Sequence, residues 1–462
     1  NMQKEEIFAL IDENKDTLTN MALTLWENPE IAHEEYKSSQ LQKDYLRSVG
    51  FSIREIPDNP TSFIAEYGSG KPIIGITGEY DALPNLSQKR CSAQEPEKTA
   101  KDPGHGCGHN LLGTGSLGAA VAVKQCMEKE NLRGTLRYYG CAAEETLAGK
   151  PLMELSHVFD DLDACISWHP SFMNTLWECS FLAMNSMKFR FKGTPSHAAA
   201  APEAGRSALD AVELMDIGAN YLREHVIDQI RIHYTITNGG GLPNTVPAEA
   251  EVWYYVRAPK RDSVRSTVKR LLKIAEGAAL MTETQMTYEL LAGCYDVIPN
   301  YTLGDLIMEN MKLVSTPGFG SKDIAYAEEF TRQLSPEQKQ SVLNSYMAPN
   351  SFDSTQPLSN QVVQNTDRGL LMAGSTDVGD VSYLTPFAQF TAACWPVGIS
   401  SHTWMSTACT GTSIGCKGML FAAKVGATTL YDLFTRPDTL KAARQEFMEK
   451  TKGITYISPF DE

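Results

Sequence analysis

The chain has 462 residues, 42% of them hydrophobic, which is more than one compact domain usually holds, so two domains are expected. Its 41 basic against 56 acidic residues leave a net charge of −15, which disfavours nucleic acid and anionic membrane surfaces as partners and points to a small-molecule substrate. The 10 cysteines run from Cys91 to Cys416 without a tight framework and read as reduced thiols of a cytoplasmic protein rather than as disulfides.

The amino-terminal stretch is polar and amphipathic, with neither the basic start nor the apolar core of a secretory signal. Helical spacing at Ile7, Leu10, Leu18, Met21, Leu23 and Leu25 is followed by β-rich runs over 51–56, 62–67 and 72–77. A polar stretch, 87–103, precedes an Ala/Gly/Val-rich helix from about Leu111. That apolar run is broken by Gly113, Gly115 and Gly118 and is shorter than the roughly 20 residues a bilayer requires, so no membrane segment is expected. Strands at 136–141 and 164–168 continue the alternation. The pattern predicts an α/β fold with a mainly parallel sheet covered by helices on both faces.

From about Met187 the rhythm changes to strand 187–192, helix 206–224, strands 231–237 and 249–257, helix 263–280 and strand 285–291. This βαββαβ order is ferredoxin-like. It predicts an inserted unit over 186–294 that splits a first domain into 1–185 and 295–462. An antiparallel sheet with a free edge invites pairing with a second copy. The segment 335–367, rich in Ser, Gln, Asn and Pro, reads as a long, partly mobile surface excursion. A strand near 387–394 and a long apolar helix over 414–433 close the chain.

Four short stretches carry chemistry. HGCGHN sets Cys107 and His109 two apart, with glycines that let the backbone turn so that a thiolate and an imidazole face one point. YYGCAAEET runs a buried strand out into Glu144 and Glu145, and CISWHP and GISSHTW place His169 and His402 just past strands. Alone, HGCGHN is as often a Gly-rich turn, the paired glutamates are more often a solvated face, and a lone histidine is more often structural than a ligand. Together, Cys107, His109, Glu145, His169 and His402 lie where ligands bind, at the carboxyl edge of one parallel sheet. Five donors and a spare carboxylate exceed what one tetrahedral ion takes, whereas two ions about 3.5–4 Å apart use them all and activate a water between them. Glu144 is then the candidate proton shuttle; spacing equally allows Glu144 as ligand and Glu145 as base.

GEYDALP, HGCGHN, AAEE, WHP, GTPSHAAAAPEAGRSALDAV, GGLPNTVPAEAEVWYYVRAP and SHTW follow one another in the order of the metallo-amidohydrolase and carboxypeptidase family, which the chain resembles over nearly its whole length. Blocks such as HGCGHNLLGT, EHVIDQIRIHYTITNGGG and STDVGDVS are most similar to its aminobenzoyl-glutamate branch. The resemblance implies that Cys107, His109, Glu145, His169 and His402 bind the metals and that Glu144 is the general base. It also implies that the split domain is catalytic and the insert a lid that dimerises. His197 would then reach the partner's active site to stabilise the oxyanion, and Asn244 and Arg257 would meet the substrate, with a guanidinium fork suited to a carboxylate.

Two positions depart from the wider family's pattern: the usual pair of aspartates is Glu79 and Asp81, and Asn110 replaces the acid after the ligand histidine. Asp81 suits a role holding a ligand imidazole in one tautomer. Among the other histidines, His233 is the first candidate for a role; His33, His157 and His225 receive none. The expectation is therefore a hydrolase of an amide bond in an N-acyl or N-aroyl amino acid, foremost p-aminobenzoyl-glutamate to p-aminobenzoate and glutamate. A dipeptidase or aminoacylase of the same chemistry is an alternative, as is a non-catalytic partner in a heteromer. Two divalent ions per chain are expected, zinc because of the thiolate or manganese because of the carboxylates. A homodimer through the lid is expected, or a heteromer with a related chain.

Overall fold

A seven-stranded sheet organises the larger of two units in the computed structural model, which describes residues 3–462. Its order is Ser52–Ile56, Asn59–Ser69, Gly134–Cys141, Ile73–Glu79, Ala164–Ser171, Phe387–Ala393 and Thr175–Trp177. The third to sixth strands in this order are parallel, with Ile76 opposite both Tyr138 and Ile166 and Phe390 opposite Trp168. The flanking strands pair antiparallel. Every residue of Gly134–Cys141 and Phe387–Ala393 is buried, which requires cover on both faces because successive side chains point to opposite sides.

Helix His109–Glu130 lies across this sheet and packs against helix Ser413–Thr435. Its glycines have a steric reason: a Cβ added at Gly115 would meet the Trp168 indole at 2.8 Å. The apolar run is thus a buried helix pressed onto strands, and no helix among the described residues is long and apolar enough to cross a membrane. None of the 10 cysteines is in a disulfide.

The segment 335–367 is not the loose excursion its composition suggests. Ser335 and Gln338 form a capping box that starts helix Pro336–Ser345. The irregular chain beyond it buries Phe352, Leu358 and Val363. Asn174 donates to the carbonyls of Ser359 and Gln361, at 3.0 Å each. Irregular backbone buries apolar side chains at no fixed period, so the sequence shows no pattern there.

The smaller unit comprises Phe181–Val297, Ala373–Asp380 and Ile457–Glu462. Its antiparallel sheet runs Gln285–Cys294, Ala183–Lys192, Glu249–Ala258 and Arg231–Asn238, with helices Ala208–Leu222 and Arg261–Thr282 completing the βαββαβ order. Val252, Tyr254, Val256 and Ala258 are buried, and the alternate residues between them are half-buried. The chain's end returns to this unit, which no local pattern foretells: Arg261 Nη2 meets Glu462 Oε2 at 2.7 Å.

Candidate metal centre

The parallel strands of the larger unit deliver their carboxyl ends to one place. Glu79 ends Ile73–Glu79, and Gly134–Cys141 is followed by a turn in which Ala143 (φ 55°) and Leu147 (φ 61°) flank Glu144 and Glu145. Such left-handed residues reverse the chain sharply at a cost that functional sites commonly bear. Gly108, at φ 77°, turns the chain into helix His109–Glu130, and a Cβ there would meet Pro170 at 2.9 Å. His402 is also left-handed, at φ 63°, and its N–H donates to the Gly106 carbonyl at 2.9 Å. The loop of HGCGHN and the loop of SHTW are thereby tied together.

Cys107 Sγ lies 3.3 Å from His169 Nε2, while His169 Nδ1 is 2.7 Å from the Pro170 carbonyl. His109 Nδ1 is 2.8 Å from Asp81 Oδ1, and its Nε2 faces Glu79 Oε1 at 3.3 Å and Glu145 Oε1 at 3.5 Å. His402 Nε2 lies 3.4 Å from Glu145 Oε2. At this site three sets have donor atoms within 4.8 Å of one another: Cys107, His109 and His169; Cys107, Glu145 and His402; and Glu79, His109 and Glu144; a fourth such set, Glu154, His157 and Asp160, is largely exposed. Asp81 spans the site, its second oxygen accepting the Glu145 N–H at 2.9 Å. Every expected ligand, the two adjacent glutamates and Asp81 are therefore gathered.

These residues fit divalent cations. Glu79 Oε1, His109 Nε2 and Glu145 Oε1 are buried and have no hydrogen-bond partner, a costly state for polar atoms unless something positive stands among them. Burial and Glu145 act to raise the Cys107 thiol's pKa, yet the imidazoles of His169, His109 and His402 outweigh them and bring it down to about 6, favouring the thiolate that binds metal. Burial likewise opposes ionisation of Glu145, but His402 and His109 hold its pKa down at about 2.

Three neighbours escaped the sequence reading. Lys150, fully buried, pairs with Glu79 Oε2 at 2.5 Å. Glu35 Oε2 accepts the Ala143 N–H at 2.7 Å. His105, the first residue of HGCGHN, is buried, and burial together with His109 brings its pKa to about 3, keeping it neutral. Nothing in the local spacing of Lys150 or Glu35 marks them. His105 stood inside a recognised motif, and its place two residues before Cys107 was the available signal.

In the smaller unit, His197 Nδ1 accepts the Ala200 N–H at 3.0 Å, and the Ala198 N–H donates to the Asn244 carbonyl at 2.9 Å, so these two loops are pinned to each other. Arg257 Nη1 donates to Ser375 Oγ at 3.0 Å, with its guanidinium over Tyr255. His233 has its pKa lowered by burial and by Arg257, Arg223 and Arg231.

A parallel sheet with thiolate, imidazole and carboxylate donors at its carboxyl edge, joined to a separate ferredoxin-like unit, defines a metal-dependent hydrolase of amide bonds. Residues 183–282 match the family described as peptidase dimerisation domain, and the chain belongs to the M20 peptidase family. It is 40% identical, over 98% of both chains, to one of the subunits of p-aminobenzoyl-glutamate hydrolase from Escherichia coli (strain K12). It is 27% identical to the Xaa-Arg dipeptidase of Mus musculus, over 95% of this chain and 90% of that one. In fold it is similar to the aminobenzoyl-glutamate utilization protein from Klebsiella pneumoniae, with a TM-score of 0.63 and 16% identity, covering 92% and 98% of the two chains. A Bacillus subtilis dinuclear metal binding peptidase of the M20 family gives 0.55 and 18%, covering 91% and 99%.

Proposed function

We propose that this chain hydrolyses the amide bond joining an acyl or aroyl group to an amino acid, with p-aminobenzoyl-glutamate as leading substrate, at a centre holding two divalent cations. The observation that carries the reading is the charge of the site. Five acids, Glu79, Asp81, Cys107, Glu144 and Glu145, share it with the ammonium of Lys150, and in their ionised forms their excess equals the charge of two divalent ions. Cys107, His109, Glu145, His169 and His402 are the residues that would hold them. Bound there, the ions would polarise the amide carbonyl and lower the pKa of the attacking water.

The remaining work falls to the chain's own groups. Glu144, buried beside His109 and Glu79, takes the proton from the water and passes it to the leaving nitrogen. Asp81 fixes the His109 ring in one tautomer, which keeps Nε2 available to a cation. Arg257 and Asn244 grip the amino acid's carboxylate, and His197 of a second copy stabilises the oxyanion, the two copies meeting through their lids. The thiolate favours zinc and the carboxylates accept manganese. The Escherichia coli relative is named as one subunit of its hydrolase, which supports a heteromer with a related chain as the alternative assembly, and ten cysteines outside any disulfide favour a cytoplasmic setting. The likeness to the Xaa-Arg dipeptidase favours a dipeptide as second substrate class.

The test is a panel of aroyl-glutamates, acyl amino acids and dipeptides assayed after reconstitution with zinc or manganese. Turnover of an aroyl-glutamate above the other classes supports the reading. A metal-loaded chain that cleaves none of them removes it.

A further inference from the structure

Glu79 presents its two carboxylate oxygens to unlike surroundings. Oε2 receives the Lys150 ammonium at 2.5 Å, with both side chains buried. Oε1 has no hydrogen-bond partner although it is sealed from solvent, and it lies 3.3 Å from His109 Nε2, a second buried atom without one. Asp81 Oδ1, 2.8 Å from Nδ1 of the same ring, takes up that nitrogen and leaves Nε2 as the ring atom turned toward Glu79. Two buried polar atoms that face each other with no hydrogen bond between them are costly to leave so, and a cation held by both removes that cost.

The geometry is held from both ends. A Cβ at Gly113 would meet the Glu79 carbonyl at 2.5 Å, so helix His109–Glu130 runs directly against the end of Glu79's strand. Lys150 grips one oxygen through a charge-assisted hydrogen bond, which stops the carboxylate from rotating and leaves Oε1 aimed at His109. Glu144 completes the set, its donor atom within 4.8 Å of those of Glu79 and His109.

We propose that Glu79 is a further carboxylate donor to the metal centre, on the His109 side, and that Lys150 is the residue that positions it and offsets its charge. The inference rests on the two-ion reading above. A neutral donor set of Glu79 and Lys150 adds an oxygen to an ion without adding net charge to the buried site, which suits an acid-rich cavity.

Metal binding by wild-type, Glu79→Gln and Glu79→Asp chains tests this, read by competition with a chromophoric chelator and by the visible absorption of cobalt(II)-loaded protein. Expected is one ion held as in wild type and the other roughly 10–100-fold more weakly, with a changed cobalt band. Glu79→Asp keeps a charge for Lys150 but falls short of the ion by one methylene, so it answers the question if Glu79→Gln does not fold. Two ions bound by wild type, with unchanged affinities and spectra in whichever variant folds, overturn the donor role alone. Fewer than two ions bound by wild type overturn the two-ion reading and the donor role with it.

Discussion

Asp81 touches two candidate metal ligands at once, its Oδ1 lying 2.8 Å from His109 Nδ1 and its Oδ2 accepting the Glu145 N–H at 2.9 Å. An asparagine fits only one of these contacts, because an amide oxygen turned to His109 leaves its NH2 facing the Glu145 N–H, donor against donor. Asp81→Asn and Asp81→Ala are both expected to weaken metal binding by roughly 10–100-fold. Chelator competition measures this, and affinities equal to wild type in Asp81→Asn would show that the bridge does not orient the ligands.

Glu144 and Glu145 are adjacent but differently placed. Glu145 approaches both His109 and His402, at 3.5 and 3.4 Å, whereas Glu144 groups with Glu79 and His109. If Glu144 is the proton shuttle, Glu144→Gln loses roughly 10²–10⁴-fold in kcat while retaining both ions. Glu145→Gln is expected to lose an ion. Metal analysis alongside kcat separates the two roles, and the reverse pattern would exchange them.

Glu35 is buried, and that burial together with Asp81 raises its pKa to about 8 despite the bond from the Ala143 N–H. The folded chain thus keeps a proton that the unfolded chain releases above its ordinary value of 4.5. The stability this gives is present below that value and is lost as pH rises toward about 8. Glu35→Gln keeps an acceptor for Ala143 and removes the titration, so metal-free variant protein should show a flatter decline in stability between these pH values, by on the order of a few kcal/mol. Denaturant midpoints measured across the range check this; parallel curves for variant and wild type would mean that Glu35 titrates alike in both states.

What the sequence made legible was local. The smaller unit's elements could be read because Val252, Tyr254 and Val256 alternate with half-buried residues along one strand and turn residues separate the rest. Cys107, His109, Glu144, Glu145, His169 and His402 stood out because each follows a strand or precedes a helix at a turn, and the structure gathers them. Residues whose partners lie far along the chain left no such trace. Lys150 is 71 positions from Glu79 and Glu35 is 108 from Ala143, separations that only the folded sheet closes. The capped helix after Ser335 was hidden by the polar composition around it, although Ser335 and Gln338 carry the spacing of a capping box.

His197 gives the sharpest check on a shared site. Its loop is anchored within its own unit through Ala200 and Asn244, so the imidazole is displayed on a fixed turn. If it serves the neighbouring copy, His197→Ala and Glu144→Gln chains fail for different reasons and repair each other: in a mixed dimer, one site has an intact Glu144 and a donated His197. With random exchange half the dimers are mixed and one of their two sites is restored, so an equal mixture should recover about a quarter of wild-type activity from two nearly inactive parents. Exchange between dimers is followed with distinguishable tags while kcat is measured. Activity that stays at the parental level after exchange is complete would confine His197 to its own chain.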